Sequence, residues 1–295
     1  ALDSLSTGSV RNIEHLQGDD RFQFVKGNIL DVGTLEPLIK DADVVYHLAA
    51  AVGVKYILEH PVETLTTNVK GTENVLQLAH QHGNKKTILA STSEVYGKGS
   101  RFPFSEDDDS ELGPTTMSRW GYACSKAMDE FLGLAYHREM GLPVVIFRLF
   151  NTVGPRQTGY YGMVLPTFVK QAIAGDPITV YGDGEQLRCF TYVHDVVQAM
   201  VDILEVESVV GEVFNVGSNR EISMNDLASL VKETLASDSR IDHIPYERVY
   251  SPGFEDMRRR LPDYSKLQSY INYHPNTDLA GIIREISEAL MEQPD

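Results

Sequence analysis

The sequence predicts an α/β protein built on a doubly wound parallel sheet, and three observations predict it. Short β-branched or apolar runs alternate with helical stretches over the first two-thirds of the chain; the helical stretches carry apolar stripes; and after about Asn151 the alternation loosens into Gly- and Pro-bearing loops. RFQFVKGNI, ADVVYHLAA, KKTILAST, PVVIFRLFN and FNVG read as strands. Residues 68–82 read as a helix, with Val69, Thr72, Val75, Leu76 and Ala79 on one stripe, and residues 121–140 as a second. Strands alternating with helices build right-handed βαβ units, whose parallel sheet is covered on both faces. The loops GPRQTGYYG and VYGDGEQ belong to a smaller C-terminal lobe, where a cap over a substrate would be built. The division falls at residues 1–155 for the sheet domain and 156–295 for the lobe, with some later segments returning to the sheet.

A chain of 295 residues with 42% hydrophobic composition can bury a substantial core. Lys plus Arg number 26 against 42 Asp plus Glu, so the net charge is −16 and no nucleic-acid footprint is expected. An anionic ligand would need arginines or lysines concentrated locally. Cys124 and Cys189 stand outside any metal-ligand spacing and form no disulfide framework, and neither a membrane span nor a basic-then-apolar leader is readable. These features point to a cytoplasmic protein without a metal site; the acidic run EDDDSE, residues 106–111, reads as a solvated loop.

The sharpest chemical signal is Tyr122 and Lys126 in WGYACSKAMDE, because residues four apart on a helix share a face. A phenol with an ordinary pKa near 10 is a poor base, and an ammonium one turn away would favour its phenolate. Isolated, such a pair is more often a half-buried tyrosine beside a surface lysine. Here KKTILA runs into Ser91-Thr92-Ser93-Glu94, which puts hydroxyls and a carboxylate at the C-terminal end of a strand, where open α/β sheets bind ligands.

Together these residues resemble the extended short-chain dehydrogenase/reductase family, in particular its NAD-dependent nucleotide-sugar epimerases, decarboxylases and dehydratases. The resemblance covers nearly the whole chain. It rests on LDSLSTG (2–8), HLAA (47–50), NVKGTENVL (68–76), STSEVYG (91–97), YACSK (122–126), RLFNTVGPR (148–156) and VYGDGEQLRCFTYVHDV (180–196). It implies a Rossmann-type fold with NAD as cofactor and a nucleotide-sugar substrate. Asp3, Ser4, Ser6, Thr7 and Gly8 are then expected at the adenosine ribose side, Asn28 and Ile29 at the adenine, and Leu48, Ala49 and Ala50 at the pyrophosphate side. Asn68 joins the cofactor set, as do Tyr122 and Lys126, the latter at the nicotinamide ribose. Thr92, Ser93, Glu94, Tyr122 and Lys126 are the implied catalytic group. Asn151, Arg188 and Arg258 are expected at the substrate diphosphate or sugar, and Tyr181 and Lys170 near the nucleobase. The family also implies a homodimer through the two long helices. One departure stands out: no GxxGxxG occurs among the residues, although a Rossmann site holds its pyrophosphate on such a turn. A leading segment carrying the first strand and that turn is expected to precede Ala1.

In the implied chemistry Tyr122 takes the proton of a sugar C4 hydroxyl as C4 is oxidised to a ketone. The dehydratase signature places Asp-Glu after the catalytic Thr; here the pair is Ser93-Glu94, which resembles UDP-glucuronate decarboxylases. UDP-glucuronate decarboxylation is therefore expected, with a UDP-hexose or UDP-hexuronate 4-epimerase as the alternative. A non-catalytic sugar-nucleotide or dinucleotide sensor is a reading of another class, which the fold alone would permit.

Overall fold

The computed structural model describes residues 1–159, 162–249 and 256–292. Its main sheet has four parallel strands in the order Val213–Val216, Val144–Leu149, Lys86–Thr92, Val44–His47. The central strand Val144–Leu149 is apolar on both faces, as a strand covered twice must be. Alternation along the pleat sends neighbours to opposite cores. Leu89, Val144 and Ile146 join Leu35, Ile39, Val75, Leu76 and Ala79 on one face. Ile88, Val145 and Phe147 join Val196, Met200, Phe214 and Leu267 on the other. Helices on both faces make this the doubly wound, Rossmann-type arrangement. Four of the five expected strands appear in this sheet; of RFQFVKGNI only Val25–Lys26 pairs, in parallel with Leu2–Asp3, as a separate two-stranded ribbon.

Local chemistry fixes the helix ends. The Asp31 carboxylate accepts hydrogen bonds from the Gly33 and Thr34 amides and caps Val32–Asp41. Gly141, with φ +69°, ends the helix Arg119–Met140 in the left-handed conformation. The stretch expected as one helix over 68–82 is a π-helical segment, Thr66–Lys70, running into the helix Gly71–Gln81. The wider π turn carries the buried Asn68, whose amide oxygen accepts from the Ala51 N–H at 2.8 Å and whose amide nitrogen donates to Ser125 Oγ at 3.1 Å.

A third core gathers Val153, Leu165, Phe168, Ile178, Val180, Leu227, Val231, Ile283 and Ile286. It is built by the helices Val164–Ala174, Met224–Thr234 and Leu279–Glu292 around the parallel pair Ile178–Tyr181 and Ile241–Ile244. A three-stranded sheet, Glu221–Ser223, Leu187–Cys189 and Arg259–Arg260, lies beside it. No helix among the described residues is long and apolar enough to cross a membrane. Tyr160 and Tyr161 of the first Gly-bearing loop and most of VYSPGFEDM lie outside the described residues.

Candidate active site

A cleft of about 400 Å³ opens where the sheet's C-terminal strand ends meet the third core. Leu48 and Ala50 approach it from the edge strand, Ser91 to Glu94 from the strand Lys86–Thr92 and the turn after it, and Tyr122 and Lys126 from the long helix. Asn151, Tyr181 and Arg188 line it from the lobe side. Thus Thr92, Ser93, Glu94, Tyr122 and Lys126, scattered over 35 residues of sequence, come to one wall.

The geometry corrects one physical expectation. Lys126 does shares Tyr122's helix face, yet its ammonium is claimed by Asp129, with Nζ 2.7 Å from Oδ2 in a pair that is almost completely buried. Burial pushes the Tyr122 phenol well above its usual range; Glu94 and Asp129 add to that, while a hydrogen bond with Thr92 and the charge of Arg260 oppose it. Behind Lys126, His47 Nε2 lies 2.9 Å from Thr72 Oγ1. Burial, helped by the Lys126 charge, pushes the His47 pKa down to about 3, so the ring is neutral at physiological pH.

Beyond Tyr122 the cleft carries a second ionic cluster. Arg260 Nη1 and Arg119 Nη2 lie 3.3 and 3.7 Å from Glu94 Oε1. Arg188 Nη2 and Arg119 Nη2 lie 2.9 and 3.8 Å from Asp256 Oδ1, and the Tyr246 hydroxyl donates to Asp256 Oδ2 at 3.1 Å. Burial pushes Asp256 upward, but Arg188, Arg119 and Arg260 outweigh it and hold the carboxyl below its usual range. Burial, then the neighbouring Arg260, pushes the Arg188 pKa down to about 10. Among the described residues, three guanidiniums, Arg119, Arg188 and Arg260, thus gather on this wall with the carboxylates of Glu94 and Asp256.

Arg119, Asp256 and Arg260 were not among the residues expected from the sequence. Arg119 was findable, since three residues before Tyr122 on a helix means the same face. Asp256 follows the loop residues that lie outside the description, and nothing in its sequence context marks it. Arg260 was hidden in the triplet Arg258-Arg259-Arg260. The structure sends Arg258 out of this cleft to an exposed pair with Asp183 at 2.8 Å, binds Arg259 to Glu221 at 2.6 Å, and turns Arg260 inward.

Other expected positions divide similarly. Lys170 is exposed on the helix Val164–Ala174 and does not line the cleft, and Asn68 braces the 48–53 loop from beneath it. Asn151 lines the cleft while donating from Nδ2 to the Cys189 carbonyl at 3.0 Å. Asp3 ends its short strand exposed, its Oδ1 accepting from the Leu5 N–H, with Ser4, Ser6, Thr7 and Gly8 exposed beside it. Asn28 is exposed and Ile29 buried, the Ile29 carbonyl accepting from Asn74 Nδ2. Ala49 is exposed beside Leu48, which is 54% exposed at the cleft mouth.

Below the site a purely structural network holds the strand ends. Arg148 grips Glu130 through Nε and Nη2, at 3.0 and 2.8 Å to the nearer oxygens, and donates from Nη1 to the Tyr96 hydroxyl, which donates to Asn215 Oδ1. Gly97, with φ +61°, follows Tyr96 and passes against the Glu111 carbonyl, where a Cβ would collide.

A parallel sheet with a tyrosine, lysine, threonine and carboxylate gathered at its C-terminal edge defines a class, and the class has a family: residues 2–286 match the GDP-mannose 4,6 dehydratase family, and the chain belongs to it. Within that family it is 45% identical over 285 residues to the UDP-N-acetyl-alpha-D-glucosaminuronate decarboxylase of Bacillus cytotoxicus, covering 96% of this chain and 87% of that one. It is 36% identical to UDP-glucuronic acid decarboxylase 1 of Arabidopsis thaliana, matching 97% of this chain and 63% of the plant protein. Among solved structures, the UDP-glucuronic acid 4-epimerase of Bacillus cereus in complex with UDP-glucuronic acid and NAD superposes with a TM-score of 0.86 at 30% identity, over 99% of this chain and 90% of that one.

Proposed function

We propose that the chain is an NAD-dependent enzyme that decarboxylates a UDP-linked hexuronate through a 4-keto sugar. The observation that carries this reading is the concentration of guanidiniums on the wall beside Tyr122, where Arg119, Arg188 and Arg260 all line the cleft. A sugar carboxylate entering there would meet charge-assisted guanidinium donors, which suit a uronate better than an uncharged hexose. The decarboxylase relatives support the same substrate class.

The residues present fit a dinucleotide at its two ends. An exposed Asp3 carboxylate at a strand end suits a ribose 2′-hydroxyl and disfavours a 2′-phosphate, which selects NAD. Leu48, Ala50, Tyr122 and Lys126 would hold the nicotinamide side. NAD, when bound, supplies the reversible two-electron oxidation at C4. Tyr122, hydrogen-bonded with Thr92, accepts the C4 hydroxyl proton. The arginines hold the carboxylate at C6. Loss of CO₂ sends the bond's electron pair towards the C4 ketone, and C5 takes up a proton from a water that the Glu94 carboxylate orients.

Incubating the protein with NAD and UDP-glucuronate, or its N-acetylated 2-amino counterpart, and resolving the sugar nucleotides tests this. Release of CO₂ and formation of the UDP-pentose are expected. UDP-galacturonate would replace this reading with 4-epimerisation, the reaction that the Bacillus cereus structure favours. Unchanged substrate would favour a sensor. The apolar residues Val62, Leu65, Met128 and Phe131, exposed around the long helix, support a homodimer, which light scattering tests. The free thiols Cys124 and Cys189 suit the cytoplasm.

A further inference from the structure

We propose that Asp129 is a positioning residue that anchors Lys126 and, by offsetting its charge, sets the pH at which Tyr122 works. The proposal rests on Tyr122 being the base and adds a residue that no relative's name assigns.

The geometry is specific. Asp129 lies one turn beyond Lys126 on the helix Arg119–Met140, with the two side chains 0% and 3% exposed and 2.7 Å apart. A buried carboxylate is costly, and an ion pair in the interior is weak support for stability, so this arrangement is better explained by what it does to its neighbours. Burial pushes the Asp129 carboxyl up while the Lys126 charge and hydrogen bond pull it down, and beside the pair Thr72 meets the neutral His47. The ammonium that would acidify Tyr122 is thereby fixed and largely offset by a carboxylate on the same helix.

The charged and titratable groups around this pair are few enough to name. Tyr122 faces Glu94 from the strand-end turn, Asp129 from its own helix and Arg260 from the lobe. Lys126 faces Asp129 and, across the packing, His47 from the edge strand, while Asp129 also feels Glu130. Of these, His47 stays neutral over the working range, and Glu130 is committed to Arg148. Asp129 is the group in this set whose removal takes a negative charge away from the phenol and releases the Lys126 ammonium from its carboxylate.

The sign follows. A negative charge near a phenol opposes phenolate and raises its pKa. Asp129→Asn keeps the shape and an acceptor for Lys126 but deletes that charge, so the phenol pKa falls. The expected result is that the rising limb of log kcat/KM against pH moves down by at least about one unit, a roughly tenfold gain in phenolate at fixed pH. Ultraviolet titration of tyrosinate should show the same displacement in the protein without substrate, read as the difference between Asp129→Asn and the double variant that also carries Tyr122→Phe. Asp129→Glu restores the charge and should return the limb to the wild-type position even where the rate is lower.

An Asp129→Asn variant that folds, by circular dichroism, with an unmoved limb overturns the proposal. So does an equal displacement in Asp129→Glu, which would mean a merely structural disturbance. If Asp129→Asn does not fold, a crystal structure of the unmodified NAD-loaded protein decides: Lys126 Nζ must still lie within about 3.2 Å of Asp129, and a released Lys126 overturns the idea. Failure of the underlying enzymatic reading is separately visible, as undiminished turnover in Tyr122→Phe.

Discussion

On one side of Tyr122 a single ammonium meets a single carboxylate, Lys126 against Asp129, backed by Thr72 and a neutral His47. On the other side, among the described residues, three guanidiniums share two carboxylates, and the contacts lengthen from 2.9 Å at Arg188–Asp256 to 3.7 and 3.8 Å around Arg119. The first cluster is closed and balanced. The second is open to the cleft, rich in guanidiniums and held by longer contacts, an arrangement suited to receiving an anion. The difference teaches that buried charge in this molecule has two uses: to hold a reacting group still, and to receive a substrate.

The comparison breaks most completely at the phenol between the two clusters. Tyr122→Phe removes the proton acceptor while leaving both ionic clusters intact. Turnover should fall by about 10²–10⁴-fold with substrate binding nearly unchanged. Product formation and equilibrium binding, measured on the same preparation, check this; a fall in binding alone would move Tyr122 from chemistry to packing.

Opening the second cluster should cost less and cost it selectively. Arg260→Met deletes one of the guanidiniums that line the cleft beside Glu94, and with it a charge-assisted donor for an entering carboxylate. An ionic hydrogen bond is worth roughly 1.5–3 kcal/mol, so kcat/KM for the UDP-hexuronate should fall about 10- to 150-fold. The preference for the uronate over the corresponding uncharged UDP-hexose should collapse in binding assays. Equal weakening for both ligands would assign Arg260 to the diphosphate they share.

The balanced cluster has its own signature, in stability rather than in rate. His47 titrates near 6.5 when unfolded and near 3 when folded, so between those values the unfolded chain binds the extra proton. Its contribution is intact above about pH 6.5 and is lost as the pH falls towards 3. At pH 5 the loss from this group is about 2 kcal/mol relative to pH 7. His47→Gln keeps a donor for Thr72 but cannot titrate; urea midpoints against pH should therefore fall less steeply in the variant than in the wild type. Parallel curves would show that the ring is accessible to protons in the folded state.

How much of this was legible in the sequence follows the periodicities. Strands buried on both faces announce themselves, and Lys86–Thr92 and Val144–Leu149 fell where their apolar runs put them. The segment RFQFVKGNI shrank to a two-residue pair because pairing is a property of the partner strand as well as of the run. On the long helix, the spacing of Tyr122 and Lys126 gave their common face. It could not say that Asp129, three residues further on, would take the ammonium, because i+3 and i+4 are equally near and burial decides between them. Asn68 sits in the π turn and braces Ala51 of the loop beside the cleft, a contact that no local spacing announces. Lobe residues were harder: Arg188 reached the cleft and Lys170 did not, and neither position follows from a local repeat.

The arginine triplet is the sharpest case and yields the smallest effect. Three consecutive guanidiniums are indistinguishable in sequence, and Arg258 was the one expected at the substrate. In the structure its carbonyl accepts from the Leu187 N–H just before the short strand Arg259–Arg260, and its side chain lies 71% exposed against Asp183. An exposed ion pair is screened by water and salt and is worth little. Arg258→Ala should leave kcat/KM within about twofold of wild type, with the small change vanishing at high salt. The contrast with Arg260→Met, two residues away and carrying the same charge, isolates burial and direction as the cause. If Arg258→Ala instead lowers uronate turnover as much as Arg260→Met does, then long-range charge rather than local pairing governs the site, and the distinction between the closed and the open cluster fails with it.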